Sequence, residues 1–169
     1  GKLALGAAEF YLATNRQEVL NDAAKYADKA GSDYWWSWGD INSLAQYRLG
    51  KIYPRFSEML KNNLIAFNAN KNNKLFGEAA ANSWGTTNTL LGISLQAILY
   101  KKLTKSNEFD SLAVMERDFI LGKNPWGVSF ISKIGKLYTK NFHHQIGFFN
   151  NGYLPGAIAA GPINKEFLK

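Results

Sequence analysis

Cysteine is absent from this chain of 169 residues, which excludes a disulfide framework, a thiol nucleophile and a zinc–thiolate site. Histidine occurs only twice, at adjacent positions, and two such side chains cannot easily share one ion, so neither a metal site nor a cofactor is predicted. No apolar run approaches the roughly 18 residues that a membrane span needs, and no basic-then-apolar signal sequence is present. A membrane partner is therefore not predicted.

Acidic residues are outnumbered, which gives a formal net charge of +7 and a pI near 9.5. Such a balance is one reason to consider a nucleic-acid partner. The 20 lysines and arginines are scattered, however, and Lys101 and Lys102 form their only adjacent pair. No nucleic-acid recognition motif accompanies them, so a nucleic-acid partner is not predicted.

Apolar residues recur at helical spacing in six stretches, which predicts an all-α fold. The expected helices run to about Ala13, from Asn15 to Gly31, from Asp40 to Gly50, from about Arg55 to Phe67, from about Thr87 to Leu103, and from Ser106 or Asn107 to Gly122. Asn15 and Asp40 are interpreted as helix caps, and residues 68–73 as a loop. The fifth helix is apolar on most sides, which is typical of burial in a larger body. If it is under-covered here, self-association of the chain is expected.

A long loop is predicted after the sixth helix. It begins with Asn-Pro-Trp-Gly at 124–127, where both dipeptides favour turns, and it contains both histidines. Long ordered loops inside compact domains usually bind or react with something. The alternation at 129–132 also suggests a short strand pair within 129–142, and residues 157–160 suggest a helical turn.

This loop resembles glycoside hydrolase family 9, the cellulase family. The family pattern is roughly Asn-Pro-x-Gly-x-Ser-aromatic-Val-[Thr/Val], then a Gly, then Pro-His-x-Arg. Ser129, Ile131, Ser132, Gly135 and His143 fall at that spacing without insertion or deletion.

Three positions depart from the family pattern. Leu137 stands where a polar or basic residue is usual, Phe142 replaces the proline, and Gln145 replaces the arginine. The last change removes a fixed charge and a bidentate donor, so either the sugar differs or activity is weaker.

The resemblance extends along nearly the whole chain. Matching stretches occur at Trp38–Asp40, Trp84–Asn88, Arg117–Gly122, Pro155–Ala157 and Gly161–Asn164. The family's catalytic domain is more than twice this long, and these motifs belong to its later part. Residues 1–169 are thus expected to be a fragment of such a domain, forming part of an (α/α)6 barrel.

The resemblance implies inverting hydrolysis of β-1,4-glucosidic bonds, in a secreted or periplasmic enzyme. The family's catalytic base lies in an earlier Asp-rich motif and its acid in a later helix, and Glu166 is too close to Pro162 to match that acid. Two pairs of carboxylates, Glu108 with Asp110 and Glu116 with Asp118, are interpreted as surface or capping charges. The isolated chain is therefore expected to be inactive.

Within the chain, the resemblance places His143 and Gln145 beside the reacting sugar, with His143 supporting catalysis through hydroxyl contacts. Trp38, Trp84 and Trp126 are candidate stacking platforms for sugar rings. The alternatives are that the histidines bond only to backbone and that the tryptophans plug helix ends. A non-catalytic carbohydrate-binding module and a purely structural helical domain likewise remain open.

Overall fold

The computed structural model describes residues 1–31, 40–72, 74–80, 85–142, 144–163 and 165. Its helices are α1 (Lys2–Thr14), α2 (Gln17–Ala30), α3 (Asn42–Gly50), α4 (Pro54–Lys71), α5 (Thr86–Thr104), α6 (Asp110–Ile120) and α7 (Gln145–Phe149). The all-α prediction is confirmed. Within the described ranges, no helix combines the length and apolarity needed to cross a bilayer.

Three antiparallel hairpins, α1–α2, α3–α4 and α5–α6, give the molecule two distinct ends. One end carries the short connections at 15–16, 51–53 and 105–109, and we call it the turn end. The other carries the ends of α2, α4 and α6, the starts of α3 and α5, and the described residues of 121–165, and we call it the loop end. Asn42 Nδ2 donates to Ala30 O at 3.0 Å between the first two hairpins. Thr87 N donates to Ala160 O at 3.0 Å and attaches the last loop segment to the start of α5.

The core divides into two apolar clusters of different character. The first cluster lies between α1, α2, α3 and the start of α4. It is built largely from alanine, which lets the helix backbones approach closely, and its buried members are Ala4, Ala8, Leu20, Ala23, Ala24, Ala27, Ala45, Leu49 and Phe56. The second cluster joins α4, α5 and α6 to the loop end. Its buried members are larger and include Leu60, Leu64, Leu90, Ile93, Leu112, Phe119, Ile120 and Phe130.

The predicted asparagine cap of α2 is wrong, and the N-cap position of α3 lies one residue after the predicted aspartate. Asn15 ends α1 in the left-handed conformation (φ 55°), with its N–H donated to Tyr11 O, because asparagine tolerates positive φ better than most residues. The N-cap of α2 is Arg16. Helix α3 begins at Asn42 with Ile41 as its N-cap, one residue after Asp40.

Two helix boundaries also differ from the sequence prediction. Helix α4 continues to Lys71, whereas the sequence predicts a loop from Asn68. Adding residues to an existing helix is much easier than starting one, so residues of low helix propensity can still extend it. Helix α6 begins at Asp110 rather than at Ser106 or Asn107. The Ser106 hydroxyl instead accepts a hydrogen bond from Glu108 N at 3.2 Å, forming a local turn before the helix.

The loop after α6 contains isolated bridges where the alternation had suggested a strand pair. Ser129 pairs with Tyr138 in the parallel sense, and Ile131 pairs with Ile158 in the antiparallel sense. The second bridge accounts for the absence of the helical turn expected at 157–160, because that stretch is extended to reach Ile131. The short helix lies instead at α7.

Candidate functional site

Asn124 fixes the path of the chain as it leaves α6. Its side-chain amide donates to Phe119 O at 2.7 Å and to Val128 O at 2.9 Å, and its oxygen accepts from Trp126 N at 3.1 Å. The side chain is almost fully buried. These backbone groups would otherwise lack a hydrogen-bond partner from this side chain. A single asparagine therefore closes the Asn-Pro-Trp-Gly turn and sets the position of Trp126.

The following residues are held by contacts distant in sequence. Phe130 N donates to Ile120 O at 2.9 Å, and Ala159 N donates to Phe130 O at 2.8 Å. Ser132 N donates to Ala157 O at 2.8 Å. The Pro155–Ala157 stretch is thereby attached to the loop that follows α6, and the two family-like motifs form one layer at the loop end.

Gly161 joins this layer to the start of α5. Thr86 Oγ1 donates to Pro162 O at 3.0 Å, next to the bond between Thr87 N and Ala160 O. A Cβ on Gly161 would lie 2.9 Å from Thr87 N and collide with the Thr87 hydroxyl, and φ is +94° there. Only glycine fits both the conformation and the close approach.

A cavity of about 680 Å³ opens in the second half of this layer. Its described lining residues are Lys140, Asn141, Phe142, His144, Gln145, Gly147, Phe148 and Gly152. Amide, cationic and aromatic side chains thus surround one concave space, a mixture suited to hydroxyl groups and apolar sugar faces.

The predicted site residues differ in whether they line this cavity. Gln145, the first residue of α7, is exposed and lines it. His144 also lines it but caps α7, because its Nδ1 accepts from Ile146 N at 3.1 Å. One of the two histidines is therefore bonded to backbone. His143 lies outside the described residues.

Among the tryptophans, only Trp126 belongs to the described part of the chain. It is 53% exposed, and its ring centroid lies 6.2 Å from that of the buried Phe130. It is not one of the described residues that line the cavity. Trp38 and Trp84 fall outside the described residues.

The interpretation of Glu116 as a surface or capping charge is wrong. It is fully buried rather than a surface charge, and its Oε1 accepts from Ala79 N at 3.0 Å. Its Oε2 and the Oε2 of the nearby Glu78 are buried without a hydrogen-bond partner within the described structure. Burial is the main cause that raises the pKa of Glu116 to about 8; Glu78 raises it further, and Lys71 lowers it.

The apolar pattern of α6 contains the signal for this burial. Glu116 lies four residues after Leu112 and three before Phe119, which are both buried, so it occupies the inward-facing stripe of the helix. The other three carboxylates of those pairs are at the surface, as predicted, and bond to cations: Glu108 to Lys61, Asp110 to Lys101 and Asp118 to Arg117.

A cation between two tyrosines was not predicted from the sequence. Lys133 Nζ lies 5.3 Å from the ring centroid of Tyr138 and 5.6 Å from that of Tyr153. A hydrogen bond between the side chains of Lys133 and Tyr138 raises the pKa of Lys133 and lowers the pKa of the Tyr138 hydroxyl. These residues are up to 20 positions apart in the sequence, so no local pattern could have linked them.

Helical hairpins with functional loops gathered at one end are the architecture of (α/α)6-barrel hydrolases, and comparisons with known proteins agree. The family model for glycosyl hydrolase family 9 matches residues 1–168. The chain belongs to glycosyl hydrolase family 9.

The curated relatives are longer than this chain. It is 26% identical to endoglucanase A of Bacillus pumilus, a match covering 95% of this chain and 29% of that protein. It is 27% identical to endoglucanase 4 of Bacillus sp. (strain KSM-522), covering 85% of this chain and 26% of that protein. The chain thus spans under a third of the length of each.

Solved structures show the same fold. The cellulase Cel9M of C. cellulolyticum in complex with cellobiose superposes with a TM-score of 0.79 at 23% identity, covering 94% of this chain and 42% of that one. A metagenome-derived glycoside hydrolase family 9 endoglucanase gives a TM-score of 0.79 at 19% identity, covering 93% and 31%. The expected assignment to part of an (α/α)6 barrel is confirmed.

Proposed function

We propose that this chain is the C-terminal part of a family 9 catalytic domain that hydrolyses β-1,4-glucosidic bonds with inversion. In this proposal its loop end forms one wall of the substrate cleft. The proposal is supported by the family match over residues 1–168 and by relatives named as endoglucanases of which the match covers 29% and 26%. Such an enzyme would act on polysaccharide outside the cytoplasm, in the medium or the periplasm.

The observation that carries the proposal is the gathering of binding groups at the loop end. The cavity places Gln145 beside Phe142 and Asn141. An amide can donate to one sugar hydroxyl and accept from another, while an aromatic ring covers an apolar sugar face. Trp126 offers a half-exposed indole on the same layer.

His143, Trp38 and Trp84 complete the proposed binding wall through their spacing in the family motifs. His143 would contact hydroxyls next to the scissile bond and support catalysis without itself being the acid or base. The two tryptophans would extend the row of stacking surfaces along the cleft.

The acid and base of the reaction are proposed to come from outside this chain. Inversion needs two carboxyl groups about 6.5–9.5 Å apart, on opposite sides of the sugar. The buried pair Glu116 and Glu78 lies beneath the loop end, where a glucan chain cannot reach. Sequencing the DNA on both sides of this coding segment would test this, because an upstream Asp-rich motif and a downstream glutamate are expected.

Sugar binding by the chain itself can be measured by calorimetry with cellohexaose. Trp126→Ala is expected to weaken binding about two- to twelvefold, since an aromatic contact contributes about 0.5–1.5 kcal/mol. Phe10→Ala is the matched control, because Phe10 is a half-exposed aromatic on α1, toward the turn end. Equal affinities of the two variants would contradict the stacking role.

Hydrolysis by the chain alone is not expected. Incubation with carboxymethylcellulose should release no reducing sugar above a boiled control. Measurable turnover by these 169 residues would overturn the proposal that the catalytic carboxylates lie elsewhere. Turnover without cellohexaose binding would overturn the proposed site as well.

A further inference from the structure

Positive charge is concentrated in the segment that follows α6. Residues 121–165 contain five lysines and no aspartate or glutamate, so they supply five of the seven net positive charges of the chain. The rest of the sequence carries a net charge of only +2, so most of the excess positive charge lies in this segment.

The structure shows the same contrast in its ion pairs. The ion pairs of the described residues lie in the helical body, as in Arg55 with Asp28 at 3.0 Å and Lys61 with Glu108 at 3.2 Å. The five lysines of 121–165 are all exposed, and within the described ranges none of them pairs with a carboxylate. An exposed group of like charges without internal counter-ions attracts anions from solution.

Two of these lysines lie at or beside the cavity. Lys140 lines it directly, together with Gln145. Lys133 is held between Tyr138 and Tyr153, and Tyr153 follows Gly152, which lines the cavity. Lys133 itself has positive φ, at 63°, a conformation that non-glycine residues adopt only when their surroundings require it.

We propose that the saccharide recognised at this loop end carries anionic groups, and that Lys140 and Lys133 recognise them. This rests on the proposed function, which places a glycan at the loop end. Amides and aromatic faces can bind a neutral sugar without any cluster of charges, so a group of exposed ammonium groups is not needed for a neutral glucan. A lysine ammonium is a compact point charge on a flexible stem, which suits a carboxylate or sulfate group on a moving polymer.

The test compares three polymers with the same β-1,4-glucan backbone: neutral hydroxyethylcellulose, carboxymethylcellulose and cellulose sulfate. Binding to the full chain is measured by affinity electrophoresis or calorimetry at about 20 mM and about 200 mM NaCl, since salt screens exposed charges. We expect the anionic polymers to bind about tenfold more tightly than the neutral one at low salt, with a smaller ratio at high salt. A higher affinity for carboxymethylcellulose identifies a carboxylate as the recognised group, and the reverse identifies a sulfate.

A matched pair of double variants separates the site from net charge. Lys133→Gln/Lys140→Gln should lose most of the preference for anionic polymers and keep its affinity for hydroxyethylcellulose. Lys102→Gln/Lys105→Gln removes the same charge at the other end of the 19-residue helix α5, about 28 Å from the loop end, and should keep the preference. Circular dichroism melting confirms that each variant is folded.

Several outcomes would overturn the inference. Equal affinity for neutral and anionic polymers would do so while leaving the proposed glucan function intact, as would equal losses in both double variants. Single-stranded DNA bound as tightly as carboxymethylcellulose would show a general polyanion surface instead. Binding to none of the three polymers would overturn both this inference and the proposed function.

Discussion

The helical body, residues 1–120, and the loop segment, residues 121–165, satisfy their backbone hydrogen bonds in opposite ways. The body uses contacts within helices, whose partners lie four residues away. The loop segment uses partners far along the chain, as in Ser132 with Ala157 and Thr87 with Ala160. The body is therefore expected to tolerate local change, whereas the loop segment depends on a few side chains that no neighbour can replace.

Within the body, Glu116 joins α6 to Ala79, which lies between α4 and α5 near the loop end, because its carboxyl accepts from the Ala79 backbone. A carboxyl with a raised pKa in the folded state keeps its proton there while the unfolded chain has lost it. Its contribution to stability is thus fully present below pH about 4.5 and is lost as pH rises through about 8. Over that interval the loss is on the order of 4 kcal/mol.

The largest expected effect is therefore for Glu116→Gln at alkaline pH. Glutamine is neutral at every pH and can still accept from Ala79 N, so the variant should be more stable than the parent above pH 8, by about 2–4 kcal/mol. Urea denaturation from pH 5 to pH 9 measures this. Asp118→Asn, which changes a surface carboxylate of the same helix, is the control and should leave the slope with pH unchanged.

If Glu116→Gln shows the same decline with pH as the parent chain, then the buried carboxyl does not keep its proton. A decline that disappears in Asp118→Asn would instead assign it to the surface charges. Either result would remove the proposed dependence of the loop end on Glu116.

Asn124→Ala should give the next largest effect, because it removes several hydrogen bonds at once and leaves Phe119 O and Val128 O without this donor. The expected destabilisation is about 2–3 kcal/mol. Hydrogen exchange should show faster exchange at 124–130 and little change in α1 and α2. Uniformly faster exchange across all helices would contradict the contrast between body and loop segment.

Gly161→Ala should give the smallest effect, localised at the junction of the loop segment with α5. It adds a collision with Thr87 to the strain of positive φ, whereas Gly156→Ala adds only the strain, since nothing lies near its Cβ. We expect Gly161→Ala to destabilise the chain by about 1–2 kcal/mol more than Gly156→Ala in thermal denaturation. Equal losses would show that the close approach to Thr87 relaxes without cost.

Sequence periodicity predicted the helices of the body well, because helical contacts are local and each apolar stripe repeats within the helix itself. Its errors were local as well. Asn15 was assigned to the start of α2 but closes α1, since the same residue type suits both positions. Family spacing placed Ser129 and Gly135 in one loop but could not show what that loop contacts.

Amino-acid order alone determined that this chain is helical, that a long loop follows α6 and that the loop belongs to glycosyl hydrolase family 9, since these features depend on spacing along the chain. Only the tertiary structure decided that Glu116 bonds to the backbone of Ala79, that Ser132 bonds to Ala157, and that Lys133 lies close to two tyrosines beside a cavity. Those features depend on which residues, distant in sequence, come together when the hairpins align, and the spacing of residues along the chain does not specify those contacts.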